Sequence, residues 1–218
     1  MLKAAALYLG LTILLAWPLA LAPASGAMPG DPDTDLFIWN LAWNTHALTT
    51  SPLSVFDANI YHPHPKTLAF SENLIGSTLI AAPVHWITGD PLLALNVVAL
   101  SSIVLSALGA FLLARRLGLA MAAALVCGMV FAFSPARFFR LGQIHLATIH
   151  WVPFCLAFLH TYLERGRPRD LRIAIAFFTL QAFTSGHGAV FLVVALACVL
   201  LYRLAMGEPV ALAQRVRD

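Results

Sequence analysis

Apolar residues fall in runs of 13 to 24 along this chain, at positions 4–22, 91–114, 117–133, 144–163, 171–183 and 189–204. A helix needs about 20 predominantly apolar residues to cross a hydrocarbon core of roughly 30 Å. The pattern therefore predicts an all-α, polytopic membrane helix bundle of about six spans. The fifth run is the shortest, with Arg172 near its start, and must borrow from its flanks to cross. The first run spans 19 residues behind Met1-Leu2-Lys3 and ahead of the small residues 24–27. A signal-peptide apolar core is usually about 7 to 15 residues, which favours a retained span over cleavage after Ala27. On either reading residue 28 onward emerges outside.

Charge placement orients the runs. Arg115 and Arg116 follow the second run, the arginines between Glu164 and Asp170 follow the fourth, and Arg203 with Arg215 and Arg217 marks the end of the sixth. With Lys3, these ends share one side under alternation. The positive-inside rule makes that side cytoplasmic, with both termini there. Residues 31–90 become a long outer loop holding Asp31, Asp33, Asp35, Asp57, Glu72 and Asp90 against one base, Lys66, so six of the ten acids gather on one face. Within it, residues 36–48 and 72–86 read as helices, and Trp39, Trp43 and Trp86 suit a headgroup-level position for both. A full span at 72–86 would put the basic loops on the side opposite Lys3. Residues 61–65 (YHPHP) form a proline-stiffened loop between the two helices.

Composition agrees with this picture and narrows it. The 218 residues are 60% hydrophobic and only 11% charged, too little polar surface to cover a water-soluble globule, which sets aside nucleic-acid-binding modules and disordered tails. A formal charge of +3 comes from bases at the ends of apolar runs, where they act as topology signals. Cys127, Cys155 and Cys198 lie inside apolar runs without disulfide or zinc-ligand spacing and read as small hydrophobes. The chain is thus a single transmembrane module: a first span at 4–22, an acidic outer loop at 31–90, and five further spans over 91–205.

Chemistry concentrates on the outer side. Asp31, Asp33 and Asp35 stand just beyond the first span, where a lipid-borne headgroup and a water-borne acceptor can meet. A carboxylate there can act as general base on an attacking hydroxyl. The same acids also suit a helix start, as cap or first-turn charges. Asp31 and Asp33 with His62 and His64 offer oxygen and imidazole ligands for a divalent cation such as Mg or Mn. Ser71 and Glu72 read first as an N-cap with a first-turn acid, and secondly as a substrate-hydroxyl contact for Glu72.

Arg137 and Arg140 break the positive-inside pattern by lying outside. At i and i+3 of a helix they would share a face and grip a phosphate, or else snorkel into lipid phosphates. His145 and His150 open the next span, where polar groups face a watery cavity or a neighbouring helix. Residues 184–188 (TSGHG) read as a tight hairpin with His187 at its outer tip. Gln181, Ser102 and Ser106 read as helix-packing groups.

Five segments in order carry a family resemblance: 31–44 (DPDTDLFIWNLAWN), 56–61 (FDANIY), 68–73 (LAFSEN), 131–135 (FAFSP) and 184–188 (TSGHG). The chain resembles the N-terminal half of bacterial C-type (GT-C) multi-span membrane glycosyltransferases, from about Leu7 to Leu204. The resemblance implies transfer of a sugar from a polyprenyl-phosphate carrier to a lipid, glycan or protein acceptor on the extracytoplasmic side of the plasma (inner) membrane. It places the catalytic acid at Asp33, with Asp31 and Asp35 as alternatives. Arg137, Arg140, Glu72, His145 and His187 are the substrate-binding candidates. Some relatives use a divalent metal and others do not. The family's enzymes are commonly longer, with further spans and an outer domain, so the chain reads as the N-terminal part of a longer enzyme or one needing a second subunit. The competing reading is a non-enzymatic transporter, which would normally show paired halves, or a scaffold subunit.

Overall fold

The computed structural model describes residues 1–26, 33–138 and 140–206. Among them there are ten α-helices and no strands: α1 Leu2–Leu15, α2 Asp33–Thr50, α3 Ile75–Thr88, α4 Pro91–Arg116, α5 Met121–Ala132, α6 Pro135–Phe138, α7 Ile144–Ala147, α8 Trp151–Arg165, α9 Pro168–Thr184 and α10 Gly186–Ala205. Asp31 lies outside the described residues.

The centre of the bundle is α4, which packs against α1, α2, α3, α5 and α8; α8 packs on α9, and α10 on α9 and α7. Its buried face is built from Ala94, Val98, Ala99, Ser102, Ala107 and Ala110. Such small residues let helix backbones approach closely where lipid offers no hydrophobic drive for helix association. Ser102 is fully buried and donates within its own helix to the Ala99 carbonyl at 2.7 Å. The α1 seam repeats every four residues, through Ala4, Tyr8 and Thr12. The Tyr8 hydroxyl donates to the Leu125 carbonyl of α5 at 3.1 Å.

Three helical stretches are long and apolar enough to cross a membrane: Pro91–Arg116, Ile144–Arg165 (α7 with α8) and Gly186–Ala205, while α1, α3 and α5 are shorter apolar helices. The helices differ from the sequence-based boundaries for identifiable reasons. The first apolar run leaves the α conformation after Leu15 and continues as turns, since a residue before proline, here Trp17 before Pro18, avoids helical backbone. The third run forms a helix only over Met121–Ala132, because Gly118 turns the chain with φ 87°. Residues 148–150 interrupt the fourth run ahead of Pro153, whose ring nitrogen has no hydrogen to donate. The fifth run is longer than its apolar core, a 17-residue helix beginning with Pro168 at its first position.

Charged ends sort themselves in space. Lys3 shares a crevice with Phe111 near the end of α4 and Met121 at the start of α5. Arg115 and Arg116 face Arg165 and Arg167 across a cleft, and Arg203 of α10 pairs with Glu164. The basic termini therefore meet at one end of the bundle. At the opposite end of α9 and α10, Asp33, Glu72, His145 and His187 converge.

Candidate functional site

Two asparagines begin the construction of this second cluster. Asn40 and Asn44 lie four residues apart, on one face of α2, and both are buried. Asn40 donates through Nδ2 to the Glu72 carbonyl at 2.6 Å. Asn44 donates to the Asn73 carbonyl at 2.6 Å, to Asn40 Oδ1 at 3.1 Å and to Thr78 Oγ1 at 3.1 Å. The chain at 71–74 is thereby pinned in a non-helical path. Leu74, fully buried, adopts left-handed backbone with φ 52°, a conformation uncommon outside glycine that the surrounding contacts must hold. Asn73 Oδ1 accepts from the Ile75 N–H at 3.0 Å as α3 begins. Glu72 is thus in the loop ahead of α3, not in its first turn. The N-cap position falls on Leu74 rather than Ser71, with no side-chain cap.

Released from the helix, Glu72 reaches α10. Its carboxylate accepts from the Gly186 N–H at 2.7 Å and the His187 N–H at 3.3 Å, and meets His187 Nδ1 at 2.5 Å. Ser185 Oγ accepts from the Gly188 N–H at 3.0 Å, and the Ala189 N–H bonds to the Ser185 carbonyl at 3.0 Å. A helix start leaves four N–H groups without intrahelical partners; at α10 the Glu72 carboxylate serves two of them, where the helix dipole also favours negative charge. The segment 184–188 is thus a tight turn between two packed helices, with His187 in a helix and not at a loop tip. Ser185 alone separates α9 from α10, and His187 is in the first turn of α10. Gly76 allows α3 to lie against the end of α9: a Cβ there would stand 2.2 Å from Thr184 Oγ1 and 2.8 Å from the Thr184 nitrogen.

The cleft that results has a volume of about 510 Å³ and is lined by Asp33, Phe37, Glu72, Asn73, His145 and His187, among others. The His145 ring sits 4.8 Å from Phe37 and 5.4 Å from His187, centroid to centroid. The Glu72 side chain is 12% exposed and that of His187 60% exposed, so the pair spans from the wall of the cleft to its mouth. Of the three candidate acids, Asp33 lines the cleft, Asp35 is exposed one helical position away from that lining, and Asp31 is outside the described residues.

The arginine pair separates. Arg137 is buried, and its Nε and Nη2 donate to the Ala147 carbonyl at 3.2 and 2.5 Å, with Nη2 also 3.4 Å from the Ser102 carbonyl. Burial lowers its pKa to about 10, which still leaves it cationic at neutral pH. Because α6 ends at Phe138, Arg140 does not share a helical face with it. Arg140 is exposed, bonded to Gln143 Oε1 at 2.7 Å. Its loop abuts the start of α2, where Thr34 Oγ1 donates to the Gly142 carbonyl at 3.3 Å. Gln181 joins α9 to the Thr148 carbonyl at 3.0 Å. His62 and His64 lie in the loop between α2 and α3, the His64 ring 6.4 Å from Phe70. Among the described residues, no three histidine, cysteine or acidic groups gather as a metal-binding set.

Asn40 and Asn44 carry no role in the sequence reading, although a pair of asparagines four apart in an otherwise apolar helix is a visible signal. Comparison with protein-family models, characterised proteins and solved structures finds no match to this chain.

Proposed function

We propose that the chain is the membrane module of a glycosyltransferase that takes a sugar from a polyprenyl-phosphate carrier and passes it to a hydroxyl acceptor on the extracytoplasmic side. In this reading α1, α4, α5, α7 with α8, α9 and α10 supply six crossings of the inner membrane, with α2 and α3 at the outer surface. The observation that carries the proposal is the convergence of Asp33, Glu72, His145 and His187 on one cleft, at the end of the bundle remote from the basic termini.

Asp33 takes the proton of the acceptor hydroxyl as its oxygen attacks the anomeric carbon. The bond from that carbon to the phosphate oxygen breaks, and the polyprenyl phosphate departs with the electron pair. Its negative charge is met by Arg140, whose loop bonds to the start of α2 through Gly142, and by His187, whose Nδ1 is oriented by Glu72. His145 lines the wall facing the sugar. Arg137, bound to backbone carbonyls, shapes the α6–α7 turn. Binding of a divalent cation by Asp31, Asp33, His62 and His64 is tested by chelation.

Purified protein is incubated with a panel of radiolabelled polyprenyl-phosphate sugars and total membrane lipids and glycans, with and without EDTA. Label moving to an acceptor is the expected result, and EDTA sensitivity would add a metal to the site. A folded protein that moves no sugar from any donor overturns the proposal.

A further inference from the structure

The other end of the bundle holds a second cleft, of about 760 Å³, lined by Arg115, Arg116, Arg165 and Arg167 together with His160 and Thr161. Four guanidinium groups face two carboxylates in it, Glu164 and Asp170, and Glu164 is itself paired with Arg203. Two of the guanidiniums are fixed by the fold. Arg115 Nη1 donates to the Leu119 carbonyl at 2.6 Å. Arg116 Nη1 donates to Thr161 Oγ1 at 2.8 Å and the Ala157 carbonyl at 3.2 Å, and its guanidinium carbon lies 3.9 Å above the Phe158 ring centre. Guanidiniums held through one nitrogen keep further N–H groups in a rigid fork suited to phosphate. Arg165 and Arg167 are exposed on the opposite wall.

This basic cleft does not end at the polar surface. Leu117 and His160 also line an apolar groove of about 660 Å³ that runs along Leu113 of α4, Leu156 of α8 and Cys198, Val199 and Tyr202 of α10. The groove is walled by the same three helices that are long enough to cross a membrane. A phosphate-matched head site joined to an apolar trough fits one amphipathic ligand. We infer that the C-terminal ends of α4, α8 and α10 form a binding site for an anionic phospholipid, with its headgroup phosphate among the four arginines and an acyl chain in the groove. Basic pockets between membrane helices on the cytoplasmic side bind such headgroups through the same charge complementarity. The site lies at the far end of α9 from the acidic cleft, about 25 Å away at 1.5 Å per residue over 17 residues. It depends on membrane placement of the three long helices and not on the chemistry proposed for Asp33.

Native mass spectrometry of the delipidated full chain in detergent tests it by titration with phosphatidylglycerol, phosphatidylcholine of the same acyl chains, undecaprenyl phosphate and inorganic phosphate. The expected result is preferential retention of phosphatidylglycerol. It should be weakened about tenfold or more in Arg165→Gln/Arg167→Gln and also in Val199→Trp, which fills the groove. Inorganic phosphate should not displace the lipid, because it has no chain for the groove. Circular dichroism and thermal unfolding confirm that both variants fold. Equal retention of the two phospholipids overturns the inference, as does unchanged phosphatidylglycerol binding in the folded arginine variant. Undecaprenyl phosphate displacing phosphatidylglycerol at equal concentration would reassign the site to the carrier lipid and overturn the phospholipid assignment.

Discussion

Replacing Glu72 by alanine removes the only described side-chain acceptor for the first two N–H groups of α10. In the native protein its carboxylate accepts from Gly186 N at 2.7 Å and His187 N at 3.3 Å, and contacts His187 Nδ1 at 2.5 Å. Hydrogen bonds to charged groups contribute about 1.5–3 kcal/mol each, but the longer of the two backbone bonds is at the weak end. The pairing with a largely exposed imidazole adds only about 0–1 kcal/mol. Water can also replace the lost acceptor at the cleft mouth. The local cost is then about 2 kcal/mol, which corresponds to roughly 30-fold faster opening of the α10 start. Hydrogen–deuterium exchange of peptides covering residues 184–190, in detergent or nanodiscs, reads this directly. Glu72→Gln keeps one oxygen acceptor and should fall between the two. Exchange within about threefold of wild type in Glu72→Ala would refute the claim that this carboxylate secures the helix start.

Other substitutions probe the scaffold around the cleft. Gly76→Ala drives a Cβ into Thr184 and should lower stability by about 1–3 kcal/mol, seen as a lower midpoint in thermal unfolding in detergent, whereas Gly89→Ala, with open space around it, should cost less and act through its positive φ alone. Arg137→Met strips the donors from the Ala147 and Ser102 carbonyls and should cost about 2–3 kcal/mol in the same assay. Asn44→Ala leaves the Asn73 carbonyl and Thr78 without their amide partner; we expect a loss of about 1–3 kcal/mol and increased protease cleavage near residues 71–74.

The hydrophobic pattern exposes most of the helices because membrane-length apolar runs have few alternative folds. Residues 91–114 and 189–204 lie inside α4 and α10, and the aromatic stretch 36–48 inside α2. What the pattern does not contain is where a helix stops against its neighbours. Pro18, Gly118 and Pro153 are readable local stops in retrospect, while the side chains that take up the Ala147 and Thr148 carbonyls at the interruption before Pro153, Arg137 and Gln181, come from other helices, α6 and α9. Asp33, Glu72, His145 and His187 are each visible as polar residues in an apolar chain, but Glu72 and His187 are separated by 115 positions, so no local spacing announces their pairing. Arg137 was legible as an exception to the charge rule and not as a buried scaffold cation. Its bonds go to the Ala147 carbonyl of α7 and the Ser102 carbonyl of α4, which only the folded chain brings within reach.

The most direct test of the proposed chemistry is a paired measurement on Asp33→Asn: sugar transfer from the polyprenyl-phosphate donor, and equilibrium binding of that same donor, both in the reconstituted protein. A general-base role for Asp33 means that transfer falls by at least about 100-fold, the lower end of what such a base contributes, while donor affinity stays within a few-fold of wild type, the signature of an interaction lost in the transition state. Undiminished transfer by a correctly folded Asp33→Asn protein would contradict it.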